Sequence, residues 1–405
     1  MSPGEREARR ATRPTRIAIV GTGNIARIHA RALGAVPEGN ARIVAATDVD
    51  PGSLARFTGE FGVPATYRGV ADLLGDARPD LVHICTPPST HHALALACLR
   101  AGASVLVEKP PVISLRELDE LAQAEGGDGG PPWLATVFQH RFGGGQRRLR
   151  ALTGQRPPGQ PGVLGRPLLA TCHTTWFRDQ AYFDVPWRGR WETEGGGPTM
   201  GHGIHQMDML LDILGDWTEV SALTRTLARA MPTEDVSLAH VTFASGAVAS
   251  VVNSVLSPRE ESYLRFDFEH ATVEVTHLYG YGDDDWRVTP APGHEDVLAA
   301  WQAAGGVRRD RAPRNDAPHH RAVYDGAAHD GARSGHAAQF REVLAALRDG
   351  AAGRRPPVGP RDARRTMSLI AGIYAAAFTG RVIQPGDIGP GTPFYDTMNG
   401  GYARA

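Results

Sequence analysis

Of the 43 lysine and arginine residues in this 405-residue chain, a single one is lysine, Lys109. Such a bias toward arginine reflects coding composition. Even so, a position that stays lysine among arginines points to a task that arginine cannot perform. A guanidinium keeps its proton in a protein, whereas a partly buried ammonium can release it. Lys109 stands in Glu108-Lys109-Pro110, directly after the apolar run Val105-Leu106-Val107. That run reads as a buried parallel strand, and the carboxyl end of such a strand is where open α/β sheets bind ligands. Pro110 restricts the Lys109 backbone and stiffens the turn. Work as a base near neutrality requires a lysine pKa brought down from about 10.4, which burial or a nearby cation achieves. The bland alternative is a surface lysine paired with Glu108; its being the chain's one lysine favours acid–base chemistry.

A second set of residues could hold the reagent such a base would serve. Gly21-Thr22-Gly23-Asn24-Ile25-Ala26 follows the apolar run Ile17 to Val20 and opens a helical stretch. In the pattern G-x-G-x-x-G/A the first glycine permits the tight turn and the second admits a pyrophosphate. The small third residue lets helix and strand pack closely. A diphosphate would rest on the unpaired N–H groups of the helix start. Asp48 ends the next strand, Ile43 to Thr47, where a carboxylate binds adenosine ribose hydroxyls. Asp48 would repel a 2′-phosphate and no arginine follows it directly, so NAD(H) is favoured over its phosphorylated form. Gly21, Gly23, Asn24, Ile25, Ala26 and Asp48 are therefore the expected dinucleotide contacts.

A third cluster is His202, His205 and Asp208, three residues apart on an expected helix and so on one face. Three readings stay open: a metal site, a capped helix with satisfied histidines, or an acid–base imidazole, His205, oriented by Asp208. Hydride transfer to NAD needs no metal, and none is expected. Gly195-Gly196-Gly197 just before would let backbone approach a bulky polyol. Aromatic Trp176, Tyr182 and Trp187 could stack on a sugar face or pack in the core.

The elements that must position these groups alternate strand and helix from Arg16 to Phe138, which implies a parallel, doubly wound sheet. Further strands are expected at Leu81 to Cys85 and Leu134 to Phe138. After about Gln139 the pattern changes to alternating apolar and polar residues, with a hairpin signal at Ser245-Gly246 between Val236 and Val255. Two amphipathic helices close the chain, one through Phe340, Val343, Leu344 and Leu347, the other through Met367, Ile370, Tyr374 and Ala377. The expected organisation is a disordered leader over 1–15, a dinucleotide domain over 16–138, a substrate and oligomerisation domain over 139–385, and a tail over 386–405. Residues 305–335, with His319-His320, read as a mobile, solvated insertion. An apolar fraction of 41% is too high for a mainly disordered chain, and a net charge of −1 gives no field to hold nucleic acid or an anionic membrane. No apolar run is long enough to span a bilayer, and no apolar core follows the basic start, so neither membrane nor secretion is expected. Cys85, Cys98 and Cys172 fit buried thiols in a reducing cytoplasm.

The glycine turn, Thr86-Pro87-Pro88-Ser89-Thr90-His91, Glu108-Lys109-Pro110, and Gly195-Gly196-Gly197 with Gly203-Ile204-His205-Gln206-Met207-Asp208 occur in one order that resembles the Gfo/Idh/MocA oxidoreductases, the glucose–fructose oxidoreductase and inositol dehydrogenase group. The resemblance runs from about Arg16 to about Val382. It implies an N-terminal Rossmann fold and a C-terminal α+β domain on an open, mostly antiparallel sheet, one face of which often serves in oligomerisation. It also implies a nicotinamide between the domains with Lys109 and His205 around the reacting carbon. Thr86, Pro87, His91 and Glu108 would lie along the cofactor. Trp187-Arg188 resembles a cofactor- or substrate-side motif of the sugar-nucleotide branch, as does Tyr182 just before it. Apart from the resemblance, Arg178 and Arg188 are candidates to bind an acidic or phosphorylated substituent, since a planar guanidinium matches such groups, and His202 is a further substrate-side expectation. One departure stands out. Many members carry an aspartate four residues before the histidine, and here that position is Gly201, with His202 the neighbouring substitute.

The favoured function is an NAD(H)-dependent dehydrogenase acting on a secondary hydroxyl of a sugar, sugar derivative or cyclitol, as a homo-oligomer (dimer or tetramer). The alternatives are a redox-neutral epimerase or eliminase that retains NAD, and a non-catalytic NAD- or sugar-sensing protein.

Overall fold

The computed structural model describes residues 13–127, 130–154, 162–305, 333–349 and 355–402. Its first six strands are β1 (Thr15–Val20), β2 (Ala41–Thr47), β3 (Thr66–Tyr67), β4 (Leu81–Ile84), β5 (Ser104–Val107) and β6 (Leu134–Thr136). All pair in parallel, in the order β3-β2-β1-β4-β5-β6. Successive residues Ile17, Ala18 and Ile19 are each fully buried, and successive side chains on a strand point to opposite faces. Helices must therefore cover both sides, and α1 (Asn24–Gly34), α2 (Pro51–Phe61), α3 (Val70–Ala77), α4 (His91–Arg100) and α5 (Leu115–Gln123) supply the cover. Each large aliphatic side chain so buried contributes about 1.5–3 kcal/mol. Asp50 caps α2 through Gly52 N and Ser53 N, and Ser114 caps α5 through Glu117 N. By contrast α1 begins at Gly23 with no side-chain cap, so its first N–H groups stay available. The strand order reverses between β1 and β4, and the crevice at their carboxyl ends is the ligand site of such a sheet.

The second sheet contains β7 (Pro167–Phe177), β8 (Trp217–Arg225), β9 (Val236–Phe243), β10 (Val248–Ser254), β11 (Leu256–Phe268), β12 (Ala271–His277) and β13 (Trp286–Pro290), in the order β13-β12-β11-β7-β10-β9-β8. Every pair is antiparallel except β7 with β10. The β9–β10 hairpin turns at Gly246, whose φ of 84° suits glycine. Helices of this half are α6 (Gly144–Thr153), α7 (Ile204–Leu214), α8 (Asp296–Ala303), α9 (His336–Arg348) and α10 (Pro360–Thr379).

Four features depart from the sequence expectation. Helix α9 lies in the second half of the sequence but packs on the first sheet: Phe340, Val343 and Leu344 share a buried cluster with Ile17, Ile19 and Ala26. A boundary at 138/139 therefore does not separate the two cores. Residues Thr366 to Ala376 of α10 are buried all round, because the helix is wedged among β8, α5 and α7. The segment after 385 is docked, with Phe394 and Met398 buried and Tyr395 Oη donating to Asp119 at 3.0 Å. At the other end, Thr15 already pairs in β1 and Arg13 donates to Asp80 at 2.9 Å, so these two residues do not belong to a loose leader. The rest of that leader and most of the expected insertion, His319 and His320 included, lie outside the described residues. Cys85, Cys98 and Cys172 are free and buried, as expected. Among the described residues no helix is long and apolar enough to cross a membrane.

Candidate active site

The carboxyl ends of β1, β4 and β5 open onto a cavity of about 2820 Å³ that the second sheet closes from the other side. At its floor Gly21 adopts φ 83°, and a Cβ there would lie 2.7 Å from Thr86 Cγ2 and 2.9 Å from the Cys85 backbone. Only glycine fits. A Cβ at Gly23 would meet nothing within 4 Å, which leaves the helix N-terminus open to a phosphate. Ala26 is fully buried between helix and sheet. Asn24, Ile25 and Asp48 line the cavity, and Asp48 also accepts from Thr22 N at 2.5 Å and Asp50 N at 2.8 Å, which fixes its carboxylate beside the turn. These features fit a dinucleotide. Arg68, just past β3, lines the same end and was not read from the sequence.

Thr86, Pro87, Glu108 and Lys109 line the cavity. Glu108 is 6% exposed; its Oε1 accepts from His29 Nε2 at 2.8 Å and its Oε2 from Lys109 N at 3.1 Å. Burial alone would raise the Glu108 carboxyl, but the His29 and His336 imidazoles hold it well below the usual carboxylate range. Burial lowers His29 itself, so a neutral His29 donating from Nε2 satisfies the pair. Its Nδ1 then accepts from His83 Nδ1 at 2.9 Å. Glu108 is thus clamped from below and fixes the backbone of Lys109.

Lys109 is half-buried, and its Nζ donates to Gly201 O, across the cavity, at 2.8 Å. Burial lowers its pKa and the Arg188 and Arg178 guanidiniums add to that, while Glu108 and Glu194 oppose it. His205, on the first turn of α7, faces the cavity at 7% exposure, and burial beside Lys109 and His140 keeps it neutral. His202 Nε2 lies 3.3 Å from Tyr182 Oη, which also accepts from Arg188. Arg188 stacks on both Tyr182 and Trp187, with its Cζ 4.0 and 4.3 Å from the ring centres. Arg178 donates to Glu260 at 2.7 Å and to Tyr279 Oη at 2.6 Å, and lies over Trp176.

Three expectations are corrected by the geometry. Asp208 does not orient His205: its two oxygens accept from Arg141 Nε and Nη2, each at 2.6 Å, and Thr366 Oγ1 adds a third donor. Among the described residues, His205 Nδ1 has no hydrogen-bond partner. His91 does not reach the cofactor crevice. Fully buried, it places one ring nitrogen 2.8 Å from Pro110 O and the other 2.8 Å from Thr86 O, so it braces the β4 and β5 loops together. The glycine run does not face a substrate either. A Cβ at Gly196 would come 2.1 Å from Tyr374 Oη, and one at Gly197 2.0 Å from Glu234 O. These glycines admit α10 and the strap carrying Glu234.

The structure adds residues the sequence did not reveal. His140 and His277 line the cavity beside His205, with ring centres 4.9 Å apart for His140 and His205 and 5.4 Å for His140 and His277. Glu194, directly before the glycine run, lines it too. No periodicity marks them, since each lies on a separate loop or strand end.

Comparison with known proteins agrees with this geometry. The family described as "Oxidoreductase family, NAD-binding Rossmann fold" matches residues 15–130, and the GFO/IDH/MocA C-terminal domain matches residues 160–274. The chain belongs to the Gfo/Idh/MocA oxidoreductase family. Its cofactor is NAD(H). D-glucoside 3-dehydrogenase of Escherichia coli (strain K12) is 29% identical over 50% of this chain and 54% of that protein, so the chain matches about half the length of that relative. D-apiose dehydrogenase of Paraburkholderia graminis is 24% identical over 96% of this chain and 94% of its own length. Among solved structures, the WlbA dehydrogenase from Chromobacterium violaceum in complex with NADH and UDP-GlcNAcA has a TM-score of 0.74 at 25% identity, over 92% of this chain and 96% of that one.

Proposed function

We propose that this family member is an NAD(H)-dependent dehydrogenase or ketoreductase acting on a secondary hydroxyl of a sugar, sugar derivative or cyclitol. The observation that carries the reading is the half-buried Lys109 ammonium, held at 2.8 Å by Gly201 O inside the cavity that the glycine turn shares with the second sheet. When bound, the nicotinamide takes up or returns the hydride. Lys109 takes the hydroxyl proton in oxidation and returns it in reduction, and neutral His205 holds the same oxygen by a hydrogen bond. Trp176, Tyr182 and Tyr279 offer flat apolar surface to a sugar ring, while Arg178 and Arg188 suit an acidic or phosphorylated substituent. Names among the relatives, including myo-inositol 2-dehydrogenase of Thermotoga maritima, support a polyol substrate.

The test is NADH formation across a panel of sugars, sugar nucleotides, aminosugars and inositols. Turnover of a panel member by the wild type and its loss in Lys109→Met, with NAD still bound, is the expected result. A Lys109→Met enzyme that turns over normally removes Lys109 from the chemistry. Gly201 in place of the family's acid keeps one second reading, a redox-neutral epimerase or eliminase. Product without stoichiometric NADH release would select it.

Two coarser properties follow the same reading. Leu169 and Val248 are exposed and paired across β7 and β10, as are Leu223 and Leu238 across β8 and β9, which gives the outer face of the second sheet an apolar patch suited to a second copy. A homodimer or tetramer by light scattering is the expected state. The three free buried thiols suit a reducing, cytoplasmic setting.

A further inference from the structure

We propose that Glu194 is the carboxylate partner of Lys109, projecting from the preceding loop into the space that a side chain at Gly201 would fill. The inference rests on Lys109 as the acid–base group. A Cβ built at Gly201 would lie 3.1 Å from Glu194 Oε1 and 3.7 Å from its Cδ. The two positions are therefore coupled: the glycine at 201 leaves room for the acid at 194, and a side chain there would press the carboxylate back by a few tenths of an ångström or more. Gly201 is also the residue whose carbonyl oxygen holds Lys109 Nζ at 2.8 Å, so carboxylate and ammonium both border this one residue.

Glu194 is 5% exposed, a burial at which a carboxylate with no purpose is costly. Its Oε2 is anchored by Gly189 N at 2.6 Å, which aims Oε1 toward the cavity. Arg188 also faces this carboxylate, with Nη1 3.9 Å from Oε1 while its plane stacks on the Trp187 and Tyr182 rings, so Arg188 and Lys109 share the Glu194 charge.

Lys109 is faced by Glu108 from its own strand end, by Glu194, Arg178 and Arg188 from the loops of the second half, and by the imidazoles of His140, His202 and His205. The imidazoles are kept neutral by burial, so the charge balance at Nζ is two carboxylates against two guanidiniums. Glu108 is already committed to His29, and removing Glu194 tips the balance toward the neutral amine. Glu194 thus acts through Lys109, as a positioning residue that keeps the ammonium form available for returning a proton.

The single lysine makes this measurable without knowing the substrate. Competitive labelling with acetic anhydride across pH, read at the Lys109 peptide by mass spectrometry, reports the ionisation of that one amine. In Glu194→Gln the labelling midpoint should fall by about one pH unit or more, as for loss of a neighbouring opposite charge. In Glu194→Ala combined with Gly201→Asp, a carboxylate returned from the other side should bring the midpoint back toward wild type. Gly201→Ala, whose methyl group crowds Oε1, should shift it in the same direction as Glu194→Gln and serves if that variant does not fold. An unchanged or raised midpoint in Glu194→Gln, or in Gly201→Ala when the former is unfolded, overturns the proposal. Because labelling does not depend on turnover, that failure is distinct from an active Lys109→Met, which would sink the functional reading itself.

Discussion

Lys109 Nζ and Gly201 O, 92 positions apart in the chain, are joined by a 2.8 Å hydrogen bond that ties the end of β5 to the loop leading into α7. Lys109→Arg keeps the charge and a donor but not a releasable proton. We expect turnover to fall by about 10²–10⁴, the usual contribution of one acid–base group, while NAD titration by fluorescence stays close to wild type. Activity within a few-fold of wild type would mean that a fixed cation suffices there.

Gly21 and Gly23 should fail in different ways. An alanine at Gly21 meets the Cys85 backbone and is forced to φ 83°, so the fold itself should lose stability, by about 1–2 kcal/mol from the left-handed backbone alone. An alanine at Gly23 meets nothing in the protein, so it should cost no more than about 1 kcal/mol as a poorer helix cap. It nevertheless points where a diphosphate would lie. Gly23→Ala should therefore weaken NAD binding ten-fold or more with a nearly unchanged melting temperature. Calorimetric titration and a thermal melt separate the two cases, and equal NAD affinity in Gly23→Ala would displace the phosphate from that turn.

The contrast between these glycines and Gly195 to Gly197 shows what the sequence can carry. The glycine turn, the strand ends at Asp48, Thr86 and Lys109, and the hairpin at Gly246 are legible because each depends on neighbours a few residues away. Apolar runs fix the strands, and a strand end fixes where its next residue points. The later glycine run has the same composition but answers to Tyr374 and Glu234, brought in from α10 and a distant strap. His91 matches a cofactor-side position in the family resemblance, yet its two ring nitrogens are taken up by backbone carbonyls. Glu194, His140 and His277 belong to the cavity only through tertiary closure, and no local pattern precedes them.

Buried imidazoles should make the protein acid-labile. Burial lowers His29, His83, His91, His140, His202, His205 and His277, the last to about 3. A histidine whose folded pKa is depressed binds a proton in the unfolded chain first, so below about pH 6.5 acid favours unfolding. Each such site then removes about 1.4 kcal/mol per pH unit until its folded pKa is reached. Urea unfolding midpoints should be level near pH 7–8 and fall steeply between about pH 6 and pH 4. His277→Phe should flatten that fall. A midpoint independent of pH over this range would contradict the neutral, buried state of these rings.

Asp208 separates a structural carboxylate from a catalytic one. It shares a helix face with His205, yet its oxygens are held by Arg141 at 2.6 Å, and Arg141 extends the network to Asp362 at 2.9 Å and Asp212 at 3.5 Å. Breaking a buried pair by removing one partner costs about 3–5 kcal/mol, because it strands the other charge. Asp362 and Asp212 remain to face Arg141, so Asp208→Asn should fall at the low end of that range. The loss should appear in the melting temperature. The pH dependence of turnover should stay in place, since neither ring nitrogen of His205 nor Lys109 Nζ leans on this carboxylate. Paired replacement of Arg141 by Met and Asp208 by Leu should recover part of the stability by filling the site with apolar volume. If Asp208→Asn instead melts like wild type and shifts the pH profile, the carboxylate reaches the reacting atoms after all, and the ion pair with Arg141 is not its purpose.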